Sequence, residues 1–415
     1  MAKESLGKTR GNGWRYMLVA LAALGLMYLV AVYYTAKQVE SQFYALAEQA
    51  GEIPGLVLLN VSFDAGVLSS YANTKWEIDD QTVSLDHFID NGLFQMQMLT
   101  VLSDSPLRDS LTDLLLNKQE EPVTINTEAG LFNQTIHNTF VVADLNDGEV
   151  RLAQTQGWLD LFADQQIELG LRIKRLRLVD EQGDWTLEGV DFSGQNEGQT
   201  GALAYRFSLD TLTASFADQS VLRLAGLLKT SHSVIEHNRV KTNWHLAFKD
   251  GQLKTEGTHI DALSFSADAS LALANEVMTF DPMAQDNQAA LNDWVLKVLA
   301  QPITLDIERM AVQFNDVAQA QSSILALDAQ AQFFIPSEIM QQLTLDDLVS
   351  VALISPIRFA PYLEAALNVD MDANWLAEYG FPPTQLAPSS LSPNNRLLKL
   401  AWQDSALHLN GERLD

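Results

Sequence analysis

The chain has 415 residues, no cysteine and a formal net charge of −27, with 47% hydrophobic and 19% charged residues. That acidity argues against binding nucleic acid and against close contact with anionic membrane surfaces. Without cysteine neither disulfides nor thiolates are open to it, and the apolar content is that of a folded chain.

Lys3, Lys8, Arg10 and Arg15, set against Glu4, precede an uncharged apolar run from Tyr16 to Ala36. As a helix, its core Met17–Tyr34 would reach roughly 27 Å, close to the hydrocarbon thickness of a bilayer. Trp14, Tyr16, Tyr33 and Tyr34 sit where interfacial aromatic belts lie, and the basic flank keeps the N-terminus in the cytoplasm. The run leaves through Val32-Tyr33-Tyr34-Thr35-Ala36-Lys37, with bulky residues where signal peptidase needs small ones. An uncleaved single-pass anchor is therefore expected. Residues 1–15 form a cytoplasmic tail, 16–36 a transmembrane helix and 37–55 a juxtamembrane helix and linker that breaks at Gly51-Glu52-Ile53-Pro54-Gly55.

After the linker the signal is period-two alternation, which marks half-buried strands. Ile167, Leu169, Leu171 and Ile173 form one stripe, and its phase slips at Lys174-Arg175 before Leu176 and Leu178, as a bulge would make it do. Leu203, Tyr205, Phe207 and Leu209 form another, followed by Trp244, Leu246 and Phe248, then Phe265, Ala267, Ala269, Leu271 and Leu273. Turns are expected at Asn146-Asp147-Gly148, Gln182-Gly183-Asp184, Asp250-Gly251 and Asn410-Gly411. Asp104-Ser105-Pro106 reads as a cap and first helical proline, with Leu107, Leu111, Leu114 and Leu115 on one face. A second helix is expected from about Asp286 to Gln301.

The last third holds two strand-then-helix units of one pattern. Leu327, Ala329, Ala331, Phe333 and Ile335 alternate before a helix start at Pro336-Ser337; Leu363, Ala365, Leu367, Val369 and Met371 alternate before one at Asp372. A one-residue slip would reverse either stripe, so the two are expected on one buried sheet face, with Met340 and Leu376 over it. Pro382 to Asn395 reads as a loop before a closing hairpin. The expected fold is thus an N-terminal transmembrane helix plus a mainly-β (α+β) periplasmic region, a long antiparallel meander with a few short helices. Residues 56–302 form its β-rich part, and 303–415 the strand-helix repeats and hairpin.

No chemistry-bearing motif stands out. His232-Ser233-Val234-Ile235-Glu236-His237 misses zincin spacing by one residue, and its histidines would face opposite sides of a strand. Asp370-x-Asp372-x-Asn374 opens like a calcium loop, but Trp375 and Phe381 stand where glycine and glutamate belong. Ser5-Leu6-Gly7-Lys8 fits a serine-lysine pattern only inside the cytoplasmic tail. His87, between Asp86 and Asp90, is read as a hydrogen-bonded turn histidine before a proton or metal site. Catalytic, cofactor-binding and metal residues are each expected to be none, and no cofactor is implied.

Three stretches carry a family likeness: Ser62-Phe63-Asp64-Ala65-Gly66-Val67-Leu68-Ser69-Ser70, Ser84–Phe94, and the hairpin Leu400–Glu412 with its Leu409-Asn410-Gly411. Together they resemble the YdgA-like family of Gram-negative inner-membrane proteins, domain-of-unknown-function family 945. The chain departs from the family's Asp-His-Gly-Pro-Phe element at Asn91 and Leu93. The resemblance implies a single-pass inner-membrane protein with a large periplasmic part, and it transfers no activity. The expected function is non-enzymatic handling of lipid or another apolar ligand in the envelope. A scaffold for envelope protein partners is the alternative, and an enzyme with scattered Asp, Glu and His residues the third reading. An open apolar channel longer than about 20 Å favours the first; a filled core with an exposed aromatic patch favours the second.

Overall fold

In the computed structural model, the described residues are 44, 55–64, 69–78, 81–91, 95–130, 135–164, 166–196, 202–236, 238–256, 259–275, 288–299, 301–316, 321–340, 360–378 and 386–414. Among them the chain is mainly β, and every pairing between named strands whose register is known is antiparallel. No helix among them is long and apolar enough to cross a membrane; the segment 16–36 lies outside the described residues. The chain divides into two compact units, Met1–Gln199 with Leu209–Asp218, and Thr200–Ser208 with Gln219–Asp415. The boundary expected at 302/303 thus falls inside the second unit.

The first unit is a meander of β1 (Leu56–Asp64), β2 (Ser69–Ile78), β3 (Gln81–Asn91), β4 (Gln95–Leu102), β5 (Val123–Gly130), β6 (Ile136–Val142), the short β7 (Leu145–Asn146), β8 (Val150–Leu161), β9 (Ile167–Val179) and β10 (Gly183–Asn196). Strict alternation closes one face: Trp76, Val83, Leu85, Ile89, Met98, Leu102 and Ile125 are buried in one cluster. Helix α1 (Pro106–Leu114) adds Leu107 and Leu111 to it. Its start is the expected one, with Pro106 in the first turn and the Ser105 hydroxyl accepting from the Arg108 amide at 3.3 Å. The phase slip at Lys174 is found, but not as the expected bulge: β9 keeps unbroken register with β8 and β10 across it, and the slip is taken up opposite Lys174 by Gln154 and Gly189, whose φ are 46° and 67°. Strand β11 (Leu203–Phe216) contributes its two parts to different units.

The second unit continues with β12 (Val221–Glu236), β13 (Arg239–Phe248), β14 (Asp250–Lys254), β15 (His259–Ala274), helix α2 (Gln288–Leu299), β16 (Ile303–Asp316), β17 (Gln321–Phe333), helix α3 (Ser337–Met340), β18 (Leu363–Asp372), helix α4 (Ala373–Glu378), β19 (Ala387–Pro388), β20 (Asn395–Gln403), β21 (Ala406–Leu409) and β22 (Glu412–Leu414). Asp250-Gly251 is not a turn. Strands β13 and β14 both pair with β12, so the chain runs straight on through a kink opposite Gly226, whose φ is 66°. A side chain at Gly251 would crowd Leu224 and the Leu263 carbonyl, which explains the glycine without a turn. The closing hairpins have two-residue loops, Asp404-Ser405 and Asn410-Gly411, and all four residues have positive φ. That is type I′ geometry, which Asn-Gly favours because it matches strand twist.

Candidate functional site

Register builds one broad apolar face in the second unit. Reading across strands β13, β15, β16, β17, β18 and β20, one row is Trp244, Ala269, Ile307, Ala329, Leu367 and Leu400. The next is Leu246, Ala267, Met310, Leu327, Val369 and Leu398. On the other side Leu271, Leu305, Ala331, Ala365 and Trp402 stand in line. A bulge keeps the rows intact: Glu308-Arg309 is accommodated between Ile307 and Met310, so both apolar residues face the same way. At ~4.8 Å per strand the six strands span roughly 24 Å, more than the depth of one bilayer leaflet at about 15 Å.

The two expected stripes do share this face, with Leu327 opposite Val369, Ala329 opposite Leu367 and Phe333 opposite Leu363. They are not buried as expected. Leu327, Ala329, Ala331, Phe333, Leu363, Ala365, Leu367 and Val369 are all half-buried, and of the ten expected positions only Ile335, beyond the strand end, is fully buried. Cover comes at two places. Ile335 packs with Leu296 and Leu299 of α2 and with Ile339 and Tyr362. Leu376 of α4, at 1% exposure, packs with Leu386 and Leu398 against Val369, Met371 and Leu400. Because β17 and β18 run antiparallel, the helices that follow them sit at opposite ends of the strands. Between those ends the row of Ala329 and Leu367 stays half-exposed. The side chain of Met340 lies outside the described residues.

The reverse side of these strands is polar, with hydrogen bonds running between neighbouring strands. His245 Nδ1 lies 2.7 Å from Asp268, and Asn368 donates to Asp328 at 2.6 Å. Arg239 donates to the carbonyl oxygens of Ala272 and Pro302 at 3.2 and 2.7 Å. The sheet is thus amphipathic across its thickness.

The residues that sequence singled out do not converge on it. His87 is buried at 1% exposure in the first unit, its Nε2 3.0 Å from the Thr74 hydroxyl and its Nδ1 2.9 Å from that of Thr100. It lies within β3, so it is a core strand histidine and not a turn histidine. Burial, opposed weakly by the Asp86 charge, holds its pKa down to about 4. His232 is exposed on β12, and His237 lies outside the described residues. Asp370 is buried, accepting from Asn395 Nδ2 at 2.8 Å and from the Ser389 hydroxyl, while Asp372 caps α4 by accepting from the Asn374 amide at 2.8 Å. Both carboxylates therefore have structural partners. Among the described residues no group of three or more His, Asp or Glu side chains is arranged to hold a metal.

The apolar face itself was missed as a unit. Its stripes were readable one at a time, but Leu305, Ile307, Met310 and Val312 of β16 carry a bulge that breaks simple alternation. Among known proteins, the family described as bacterial protein of unknown function (DUF945) matches residues 15–349 of the chain. No curated protein and no solved structure matches it.

Proposed function

The chain belongs to the DUF945 family of bacterial proteins, and we propose that it is a membrane-anchored, non-enzymatic periplasmic protein that holds lipid or another apolar ligand on the apolar face of its second unit. The observation that carries this reading is the half-exposed face over β13–β20. A sheet face of aligned Leu, Ile, Val and Ala left in water costs roughly 25 cal/mol for each Å² that a ligand would otherwise cover. Contiguous apolar surface of that size is uncommon on monomers unless something binds it. The anchor at residues 16–36 would hold the face within reach of bilayer lipid. Cofactor and metal play no part in this reading.

A second reading, a scaffold for envelope proteins, draws on β1. Among the described residues it pairs with β2 alone, and Val57 and Leu59 on it are 53% and 45% exposed. An unpaired apolar edge is a template for an added strand.

Native mass spectrometry of the detergent-extracted full-length protein separates the two. Lipid adducts are expected on the wild type and their loss from a Leu327→Asp/Leu367→Asp variant that melts cooperatively. A wild type free of lipid, or a variant carrying as much, removes the lipid reading; a co-purifying protein in its place supports the scaffold.

A further inference from the structure

A cleft of about 640 Å³ lies on the outward side of the first unit, a volume typical of ligand sites. Pairing places Asp64, Tyr71, Phe88, Leu99 and Asn126 in one row across β1 to β5. Ser69, Asp90, Gln97 and Glu128 form the row beside it. The middle of the first row is aromatic and apolar, yet Tyr71, Phe88 and Leu99 are 40%, 49% and 40% exposed. The Tyr71 and Phe88 rings lie 5.5 Å apart at 55°.

The Tyr71 ring is held in place. Its hydroxyl donates to Asp86 Oδ1 at 2.6 Å, and Asn73 Nδ2 donates to the same oxygen at 2.8 Å. Asn73 is itself 3.0 Å from the Ser103 hydroxyl, which ties the group to the strand end beyond β4. An exposed ring fixed in this way loses little freedom when a ligand settles on it.

The charge around the rings has one sign. Asp64, Asp90 and Glu128 line the cleft, and among the described residues no Lys, Arg or His does. None of the three carboxylates takes part in an ion pair among the described residues. They stand on alternate strands, β1, β3 and β5, hence roughly 10 Å apart in the direction across the sheet. An anionic ligand would be repelled. A purely apolar ligand would gain nothing from the carboxylates. An ammonium group gains from both features, pairing with a carboxylate and lying over the face of a ring.

We propose that this cleft binds a linear polyamine, two of its ammonium groups at Asp90 and Glu128, about 10 Å apart, and its methylene segments over Phe88 and Leu99 beside Tyr71. The carboxylate spacing selects an extended polycation over a compact one. The site is independent of the apolar face in the second unit, and the two are tested separately.

Isothermal titration of the full-length, detergent-solubilised protein with spermidine tests it. Saturable binding that weakens with added salt is expected. Asp90→Asn, Glu128→Gln and Phe88→Ala should each weaken it about two- to fivefold, since all three act at an exposed site. Glu149→Gln and Glu181→Gln, which make the same charge change elsewhere on the first unit, should leave it unchanged. The proposal falls if spermidine binding is not saturable, if the two control variants weaken it as much, or if Phe88→Ala leaves it intact. It falls equally if a neutral tetrasaccharide binds the wild type more tightly than spermidine and loses that binding in Phe88→Ala.

Discussion

His87 sits between two threonine hydroxyls at 1% exposure, and a neutral imidazole meets them fully, one nitrogen donating and the other accepting. Protonating it would turn both nitrogens into donors in a site of low polarity. The unfolded chain takes up this proton near pH 6.5, whereas the folded chain resists it down to about 4. The residue's contribution is therefore complete above pH 6.5 and is lost as pH falls toward 4, an effect of about 3 kcal/mol. Urea titrations at pH 7.5 and 4.5 should show this loss, and His87→Gln should shrink the difference between the two. An unchanged difference would mean that other groups account for it. Nearby, Asp86 behaves in the opposite way. Burial raises its pKa, but hydrogen bonds from Tyr71, Asn73 and Ser103 outweigh that and lower it, while Tyr71 is pushed up to about 12. The Tyr71–Asp86 hydrogen bond thus persists across the neutral range.

Strand pairs show where close approach is obligatory. Gly157 lies opposite Phe140 and Gly170 opposite Trp158, and a methyl group added at either glycine would overlap the facing ring. In each pair the ring lies over the strand where a side chain would stand, which restores cross-strand cover that glycine cannot give. Gly170→Ala should displace Trp158 from Arg172, whose guanidinium lies 4.9 Å from the ring centroid, and cost about 1–3 kcal/mol. Loss of the tryptophan fluorescence change on unfolding would report the displacement, and a variant as stable as wild type would show that the ring moves freely. Such contacts were not legible in the chain, because they depend on which strand faces which. What was legible is local: the caps of α1 and α4, the turn at Asn410-Gly411, and the phase slip at Lys174. Alternation says which residues share a face but not whether anything covers it. The closed face around Trp76 and the half-open one around Leu367 have the same period, and only pairing and burial distinguish them. The difference should appear in truncations. Trp76→Ala should cost about 3–5 kcal/mol through lost burial and a cavity, and Leu367→Ala about 1 kcal/mol. Equal costs in urea unfolding would place Leu367 in a closed core and remove the argument for a ligand there.

At the scale of the whole molecule, charge and anchor pull in different directions. The chain carries −27 overall, while the residues before the apolar run are basic, so the part after it is more acidic than the total. A surface of that sign is repelled by anionic headgroups, and the repulsion is felt within about a Debye length, ~8 Å at physiological salt. On the proposal that this part handles lipid, the domain cannot find the bilayer by surface attraction and depends on residues 16–36 to stay beside it. Two outcomes are expected. A phosphatase reporter that requires export, fused after Asp415, should be active, and the mature protein should keep its N-terminus ahead of Tyr16. A version comprising residues 37–415, exported behind a cleavable signal, should appear in the soluble periplasmic fraction and should not sediment with vesicles containing phosphatidylglycerol at either low or high salt. Sedimentation at low salt that disappears at high salt would reveal a basic surface patch strong enough to overcome the net charge. An inactive reporter would place the domain on the other side of the membrane, away from the compartment in which the proposed ligand handling was set.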